Sequence, residues 1–140
     1  MDPTGYSGKP IWQKLGISAE TRIRLVSAPQ DYEQIIGLSV NKKVVKSGET
    51  DFIHCFVTSL QELATLFPEL INQTASGGCI WISWYKKSAG ISTDVTEDAI
   101  RSIILPTGWV DVKVCAVSEQ WSGLKIMKRK KSNANSILHH

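Results

Sequence analysis

Two short apolar runs organise the pattern of hydrophobic and polar positions along the chain. They are Phe52–Val57 and Cys79–Trp84, and nearly every residue in both is apolar. Continuous apolar runs of this length are typical of parallel strands that are buried on both faces. Between them, Ser59–Asn72 carries apolar residues at helical spacing. The pattern therefore predicts a strand–helix–strand unit, whose crossover is almost always right-handed.

Shorter elements flank this unit on both sides. Upstream, the pattern predicts a helix over Pro10–Leu15, a strand over Thr21–Ser27, a brief helix ending at Gly37 and a weak strand over Asn41–Lys46. Downstream, it predicts a helix that begins near Thr96 and two strands, Val110–Val117 and Leu124–Lys128. The two strands are so closely joined that they must be antiparallel, because a parallel pair needs a crossover of about a dozen residues or more. The sequence thus predicts a three-layer α/β fold, whose mostly parallel sheet closes on an antiparallel C-terminal hairpin.

Local signals mark the course of two of these elements. Ser59 and Glu62 form the S-x-x-E pattern of a capping box, which places the start of the central helix. Pro68 lies within the same helix and predicts a kink or a restart there. In Val110–Val117, valines alternate at first with Asp111, Lys113 and Cys115.

The composition suits one compact domain. The chain has 140 residues, 42% of them hydrophobic, which is enough for a single core. We expect one α/β domain over residues 1–131, with an irregular arm at residues 1–9 and a disordered tail at Ser132–His140. His139 and His140 resemble the remnant of an affinity tag. No leader and no apolar stretch of roughly 20 residues is evident, so we expect a soluble cytoplasmic protein with no membrane partner.

Charge and cysteine content narrow the function further. Much of the net charge of +3 comes from Lys128–Lys131, and the rest of the chain is nearly neutral. No specific nucleic-acid binding is therefore expected. Cys55, Cys79 and Cys115 fall in predicted strands and lack the CxxC or His/Cys spacing of a zinc site. We interpret them as buried reduced thiols and predict no metal site.

Particular sequence blocks carry a family resemblance. The double glycine before CIWISW, the helix after Thr96 and the closing pair VDVKVCAV and LKIMKR resemble class I S-adenosylmethionine-dependent methyltransferases. More narrowly, the chain resembles a bacterial family of unknown function, on blocks that cover nearly its whole length: Gly5–Gly8, Trp84–Lys87 through Thr93-Asp94, Asp111–Cys115 and Trp121–Lys125. The resemblance implies a shortened, Rossmann-like methyltransferase fold and no established activity.

The chain departs from the methyltransferase pattern at the expected cofactor site. Such enzymes have a glycine-rich turn after the first strand, whereas Ser27–Asp31 contains no glycine and includes Pro29. They usually have an acidic residue at the end of the second strand, where this chain has Lys46; Asp31 or Glu49 could substitute for it. The missing charge-assisted hydrogen bonds are worth about 1.5–3 kcal/mol each. We therefore predict no cofactor and disfavour S-adenosylmethionine.

Candidate binding residues follow from the rule that ligands of open α/β sheets lie beyond the carboxyl ends of the strands. The rule selects Ser27, Ala28, Pro29 and Tyr32 after the first strand, Thr58 and Ser59 after the central strand, and Trp84, Lys86, Lys87 and Asp94 after the last parallel strand. Two lysines and an indole beside a helix start could hold a phosphate or carboxylate next to a flat ring. The alternative is a solvated loop whose lysines only keep the sheet end soluble.

No catalytic residue is predicted. His54 lies between Ile53 and Cys55 in a predicted strand, which favours a hydrogen-bonded core histidine over a catalyst. With the two tail histidines set aside, no Ser-His or Cys-His pair can be assembled. The leading hypothesis is a non-enzymatic or cryptic binding module that holds a small anionic ligand or an acidic segment of a protein partner. The alternatives are a methyltransferase with an atypical cofactor site and a purely structural subunit.

Overall fold

The computed structural model describes residues 9–130, which form one open five-stranded sheet with helices on both faces. The strands are β1 (Ile23–Val26), β2 (Thr50–Phe56), β3 (Thr74–Tyr85), β4 (Trp109–Ala116) and β5 (Trp121–Lys128). Their order is β1-β2-β3-β5-β4. β1, β2 and β3 are parallel, and β5 is antiparallel to both β3 and β4. The predicted mostly parallel sheet with a C-terminal antiparallel hairpin is thus confirmed.

Four helices connect and cover the strands. They are α1 (Ile11–Leu15), α2 (Tyr32–Ile36), α3 (Leu60–Asn72) and α4 (Glu97–Ile104), and short 3-10 turns occupy Lys87–Ala89 and Leu105–Thr107. The Ser59 hydroxyl accepts a hydrogen bond from the Glu62 N–H at 3.1 Å, which confirms the predicted cap of α3. The Glu62 carboxylate in turn accepts from the Thr58 N–H at 2.9 Å. α3 passes through Pro68 without a break, so the alternative of a restart there is wrong.

The sheet separates two apolar clusters, and the predicted three-layer arrangement follows from them. On one face, α3 and α4 pack on Ile53, Ile80, Ile82, Leu124 and Ile126. On the other face, α1 and α2 pack on Ile23, Phe52, Phe56, Trp81 and Trp121. Each cluster contains side chains that are almost fully buried. Cys55 belongs to the first cluster, and Cys79 and Cys115 belong to the second; all three thiols are free and buried, as expected.

The predicted weak strand over Asn41–Lys46 is wrong. Residues 41–43 form a turn, and only Val44 makes an isolated parallel bridge, to Ile23 on the outer edge of β1. The Arg24 guanidinium donates to the carbonyl oxygens of Lys46 and Gly48, at 3.2 and 2.6 Å, and so ties the following segment to β1. Two backbone hydrogen bonds, between Ile23 and residues Lys43 and Val45, form the bridge, and the Arg24 side chain holds the segment beyond it.

The double glycine lies inside β3 rather than before it. A Cβ atom on Gly78 would lie 2.9 Å from the Asp51 carbonyl oxygen and 3.0 Å from the Ala75 carbonyl oxygen. Glycine is therefore required there by close backbone approach within the sheet. Because Gly78 pairs near the start of β2, it lies at the amino edge of the sheet and forms no part of a cofactor turn.

The valines that alternate along β4 are not all buried. The register between β4 and β5 shifts between Asp111 and Lys113, as in a bulge. Val112 and Val114 are each 51% exposed, whereas Trp109 and Cys115 are buried. An irregular edge strand of this kind hinders edge-to-edge pairing with another chain.

Some predictions fall outside the described residues: most of the expected N-terminal arm, the tail Ser132–His140, the paired histidines and Lys131. Within residues 9–130, no helix is both long enough and apolar enough to cross a bilayer. The same part of the chain contains no group of three or more His, Cys, Asp or Glu side chains that could hold a metal ion.

Candidate functional site

Two grooves lie at the carboxyl edge of the parallel strands. The chain leaves β1 toward Val44 on its outer side and later returns to β2 on its inner side. Backbone pairing therefore extends to both sides of β1, through a single bridge on the outer side and through β2 on the inner side. The crevice beyond the carboxyl ends of strands at such a point is where ligands bind in open α/β sheets. One groove lies after β1 and the other after β3. We call them the turn groove and the tryptophan groove.

The turn groove has a volume of about 490 Å³, within the range of small-molecule sites. Its walls include the apolar side chains of Leu25, Ala28, Pro29 and Val44, and Lys46 stands at its rim. Three predicted site residues, Ala28, Pro29 and Tyr32, line it together. The structure thus groups these three residues as the topology rule predicted.

Ser27 gives the turn after β1 an uncommon backbone shape. Its φ angle is +57°, and it is the only non-glycine residue with positive φ in the described part of the chain. Glycine adopts this left-handed conformation freely, whereas another residue loses about 1–2 kcal/mol. The turn therefore keeps a glycine-like shape although it contains no glycine. Strain of this kind is often found at ligand sites.

The carboxylates around the turn groove are not equivalent. Glu33 accepts hydrogen bonds from the Val40 N–H at 2.7 Å and the Ser39 hydroxyl at 3.4 Å, so it is used within the fold. Glu49 lines a separate depression at the amino edge, beside Gly77 and the basic residues Lys128–Lys130. Asp31 is exposed and its side chain makes no capping bond to α2. Of the two substitutes considered from the sequence, only Asp31 lies at the correct edge of the sheet.

Tyr32 begins a buried hydrogen-bonded chain beneath the turn groove. Its hydroxyl lies 2.9 Å from Nδ1 of His54, and Nε2 of His54 lies 2.8 Å from the Ser83 hydroxyl. Burial raises the pKa of Tyr32 and lowers the pKa of His54 to about 3, so the imidazole is neutral near pH 7. The prediction of a hydrogen-bonded core histidine is confirmed. Ser83 was missed, although it is a polar residue within an apolar run, which was the available signal.

The tryptophan groove has a volume of about 590 Å³ and contains a different set of groups. Trp84 forms part of its wall, together with Lys86, Lys87 and the half-exposed Ile91. Neither lysine forms a salt bridge to a described residue. The groove therefore combines apolar wall residues with two lysines that have no salt-bridge partner among the described residues.

The one carboxylate lining the tryptophan groove, Glu97, is paired with Arg101. This guanidinium pairs with Glu97, with Asp98 at 2.9 Å and with Asp111 at 2.8 Å. Its hydrogen bond to Asp111 holds the pKa of that carboxyl below its usual range. Sequence reasoning missed Arg101, because its partner on β4 is set by the sheet and not by local spacing. Lys86 and Lys87 are thus the cationic side chains that line the groove, and its one acidic side chain is held by Arg101.

Three further predicted site residues form a clamp instead of a groove wall. The Asp94 carboxylate accepts a hydrogen bond from the Leu60 N–H at 2.9 Å, at the start of α3. The neighbouring Thr93 hydroxyl donates to the Thr58 carbonyl oxygen at 2.9 Å. Ser59 caps the same helix. Thr58, Ser59 and Asp94 thus join two loops, and their role in ligand binding stays a prediction.

The fold is that of class I S-adenosylmethionine-dependent methyltransferases. The ribosomal protein L11 methylase from Lactobacillus delbrueckii subsp. bulgaricus superposes with a TM-score of 0.57 at 12% identity, over 84% of this chain and 74% of that chain. A putative type 11 methyltransferase from Sulfolobus solfataricus gives 0.56 at 14% identity, over 86% and 88%. The DhpI–SAM–HEP complex gives 0.56 at 9% identity, over 84% and 83%. Identities this low establish the architecture alone.

No family model and no curated protein matches the sequence. The resemblance to a bacterial family of unknown function therefore stays a prediction.

The prediction of no cofactor is wrong, because a structure with a similar fold was solved with S-adenosylmethionine. DhpI has a similar fold and was solved with SAM, so a fold of this kind does hold the cofactor in that protein. The missing glycine carried our reasoning, yet Ser27 supplies the left-handed turn without it. Asp31 also offers a free carboxylate within the same turn. The volume and apolar walls of the turn groove fit the adenosine portion of S-adenosylmethionine, and Asp31 lies in the adjoining turn, outside the groove lining.

Proposed function

We propose that the chain is a small S-adenosylmethionine-binding domain of the class I methyltransferase type, which binds an anionic methyl acceptor. The cofactor would occupy the turn groove and the acceptor the tryptophan groove. The observation that carries this proposal is the left-handed Ser27, in the turn that follows β1 at the carboxyl edge of the sheet. A strained residue at a ligand-binding position supports a site that is maintained for binding.

Different residues in and beside the turn groove would contact different parts of the cofactor. Leu25, Ala28, Pro29 and Val44 offer apolar surface to the adenosine portion. Asp31 is exposed in the turn beside the groove and offers a carboxylate to a hydroxyl or ammonium group at the groove mouth, a charge-assisted interaction worth about 1.5–3 kcal/mol. When bound, S-adenosylmethionine supplies an electrophilic methyl group and leaves as S-adenosylhomocysteine.

The residues of the tryptophan groove support an acceptor that combines an apolar body with an anionic group. Trp84 and Ile91 offer apolar contact, and the ammonium groups of Lys86 and Lys87 attract a carboxylate or phosphate. Helix α4 begins at this groove, and its dipole favours negative charge near its N-terminus.

A second candidate function is binding of an anionic ligand, or of an acidic segment of a protein partner, without methyl transfer. The observation that favours it is the state of Glu97, the one acidic side chain lining the tryptophan groove, which is engaged by Arg101. No described carboxylate there is free to accept a proton from an acceptor. An acceptor that is already ionised needs no such base, which keeps methyl transfer as the leading proposal.

Calorimetric titration with S-adenosylmethionine and S-adenosylhomocysteine tests the cofactor half of the proposal. We expect binding in the micromolar range, and Asp31→Asn should weaken it about five- to tenfold, because one charge-assisted hydrogen bond is reduced to a neutral one. Glu69→Gln, on the exposed side of α3, is the matched control and should leave affinity unchanged. No binding of either compound at millimolar concentration would refute the proposal.

A thermal-shift series with inorganic phosphate and benzoate tests the acceptor half. The double variant Lys86→Ala/Lys87→Ala should lose most of the stabilisation that these anions give the wild-type protein. Lys128→Ala/Lys130→Ala removes the same charge at the amino edge and should respond like wild type. Equal responses from all three proteins would show that the tryptophan groove is only a surface.

A further inference from the structure

Three buried polar side chains form a hydrogen-bonded chain beneath the turn groove. Tyr32 comes from α2, His54 from β2 and Ser83 from β3. His54 and Ser83 are fully buried, and Tyr32 is 3% exposed. Tyr32 lines the turn groove, whereas Ser83 precedes Trp84 of the tryptophan groove. Successive residues of a strand point to opposite faces, so the Ser83 side chain lies across the sheet from Trp84. The hydrogen-bonded chain therefore runs from the turn groove into the interior.

The position of the His54 ring is strongly fixed. It stacks on Phe56 with a centroid distance of 4.4 Å, and the edge contacts of Tyr32 and Phe52 lie at 5.3 and 6.1 Å. Both ring nitrogens have one partner each within hydrogen-bond distance. Apolar residues of similar volume would fill this space without burying polar groups, and such replacements are often neutral or stabilising. Packing alone therefore does not account for an imidazole here.

The consequence of this chain lies in the turn. Tyr32 is the first residue of α2 and directly follows Asp31, so anchoring its hydroxyl to β2 fixes the far end of the turn that begins at Ser27. We propose that His54 is a positioning residue, whose neutral imidazole holds Tyr32 and thereby keeps the Ser27–Asp31 turn in its binding shape. This inference rests on the proposed function, in which that turn contacts the cofactor.

The neutral ring also gives the chain two arrangements, because it carries only one N–H. In one, Tyr32 donates to Nδ1 and Nε2–H donates to the Ser83 hydroxyl. In the other, Ser83 donates to Nε2 and Nδ1–H donates to the Tyr32 oxygen, which frees the tyrosine hydrogen for an acceptor in the turn groove. A bound ligand that accepts from Tyr32 selects the second arrangement.

The experiment compares wild type with an apolar variant, Tyr32→Phe/His54→Phe/Ser83→Ala, which leaves no member of the chain unpaired. We expect this variant to fold and to bind S-adenosylhomocysteine at least tenfold more weakly. Phe67→Leu, on the opposite face of the sheet, is the control: it should lower the melting temperature and keep the affinity within twofold. In wild type, nitrogen-15 spectra of His54 should show the Nδ1–H tautomer increasing as the ligand is added.

Amide hydrogen exchange decides the positioning role without any ligand. The amides of Tyr32 and Ile35 are bonded to the carbonyl oxygens of Pro29 and Asp31, and in the apolar variant both should exchange at least tenfold faster. The amide of Gly90, bonded to Lys87 in the tryptophan groove, should be unchanged. Unchanged exchange at Tyr32 and Ile35, or wild-type affinity in the apolar variant, overturns the inference. If wild type binds no S-adenosylhomocysteine, the proposed function fails, and exchange still decides whether His54 positions the turn.

Discussion

The turn groove and the tryptophan groove lie side by side at one edge of the sheet, but they are built in opposite ways. The turn groove has a strained turn above a buried chain of hydrogen bonds, so its shape is set before a ligand arrives. The tryptophan groove is formed largely by a loop, and its two lysines have no salt-bridge partner among the described residues. A preformed site suits a ligand of constant shape. A looser, charged site suits ligands that vary around a common anionic group.

The largest effect we expect is a loss of unfolding free energy at low pH, because His54 beneath the turn groove is held neutral. The folded protein holds the pKa of His54 near 3, whereas the unfolded chain has a value near 6.5. Between these values the unfolded state binds a proton that the folded state excludes, so stability falls as the pH falls through this window. We expect a loss of about 2 kcal/mol from pH 7 to pH 5, and about 4 kcal/mol by pH 3. Urea titrations across this range measure it.

The apolar variant Tyr32→Phe/His54→Phe/Ser83→Ala provides the control for this pH effect. It lacks the titrating group, so its unfolding free energy should stay nearly constant between pH 7 and pH 5. Other acid-sensitive groups such as Asp51, whose pKa is lowered by Arg22, contribute equally to both proteins. Parallel curves for the two proteins would contradict the assignment of the loss to His54.

Breaking the clamp formed by Thr58, Ser59 and Asp94 should lower stability without changing ligand binding in the turn groove. Asp94→Ala removes the acceptor of the Leu60 N–H at the start of α3. We expect unfolding free energy to fall by about 1 kcal/mol, as for a lost helix cap. Affinity for S-adenosylhomocysteine should not change, because the turn groove is built on other residues.

Asp94→Asn retains an acceptor oxygen and is the matched control for the clamp, with a smaller loss expected. Denaturant unfolding and calorimetry on the same preparations separate the two effects. A large fall in cofactor affinity for Asp94→Ala would show that the two grooves are not independent in the way described.

Relieving the strained turn should give the smallest effect, and in the stabilising direction. Ser27→Gly removes the left-handed penalty but adds flexibility to the unfolded chain, so the net gain should be about 0.5 kcal/mol. Ser27→Val should lower stability, because a branched side chain tolerates this conformation poorly. Ser92→Gly is a control at a position with ordinary backbone angles. Destabilisation by Ser27→Gly would show that the serine side chain stabilises the turn.

The elements that sequence reasoning recovered are those specified by local residues. Phe52–Val57 and Cys79–Trp84 were recognised because apolar runs record burial directly, and Ser59 placed the start of α3. The strand predicted over Asn41–Lys46 was wrong because local residues do not determine how this segment pairs with β1. The end of the segment is held by hydrogen bonds from the Arg24 side chain.

The sequence predicted which edge of the sheet would carry the candidate site, but not the role of each residue there. Ala28, Pro29, Lys86 and Lys87, which the topology rule selected from strand direction, line grooves at this edge, and their role in ligand binding stays a prediction. A polar residue after a strand looks the same in sequence whether it faces a ligand or caps a helix, as Asp94 shows. The absence of glycine was overvalued, because the backbone shape of a turn is set by its surroundings as well as by its residues.

The burial of all three thiols offers a way to time the opening of each face of the sheet separately. Burial raises the pKa of Cys55 to about 12 and that of Cys79 to about 11, so the native thiols react slowly with alkylating reagents. Cys55 lies under α3 and α4, and Cys79 lies under α1 and α2. Mass-resolved labelling of the two cysteines therefore reports which layer separates first, with no introduced probe.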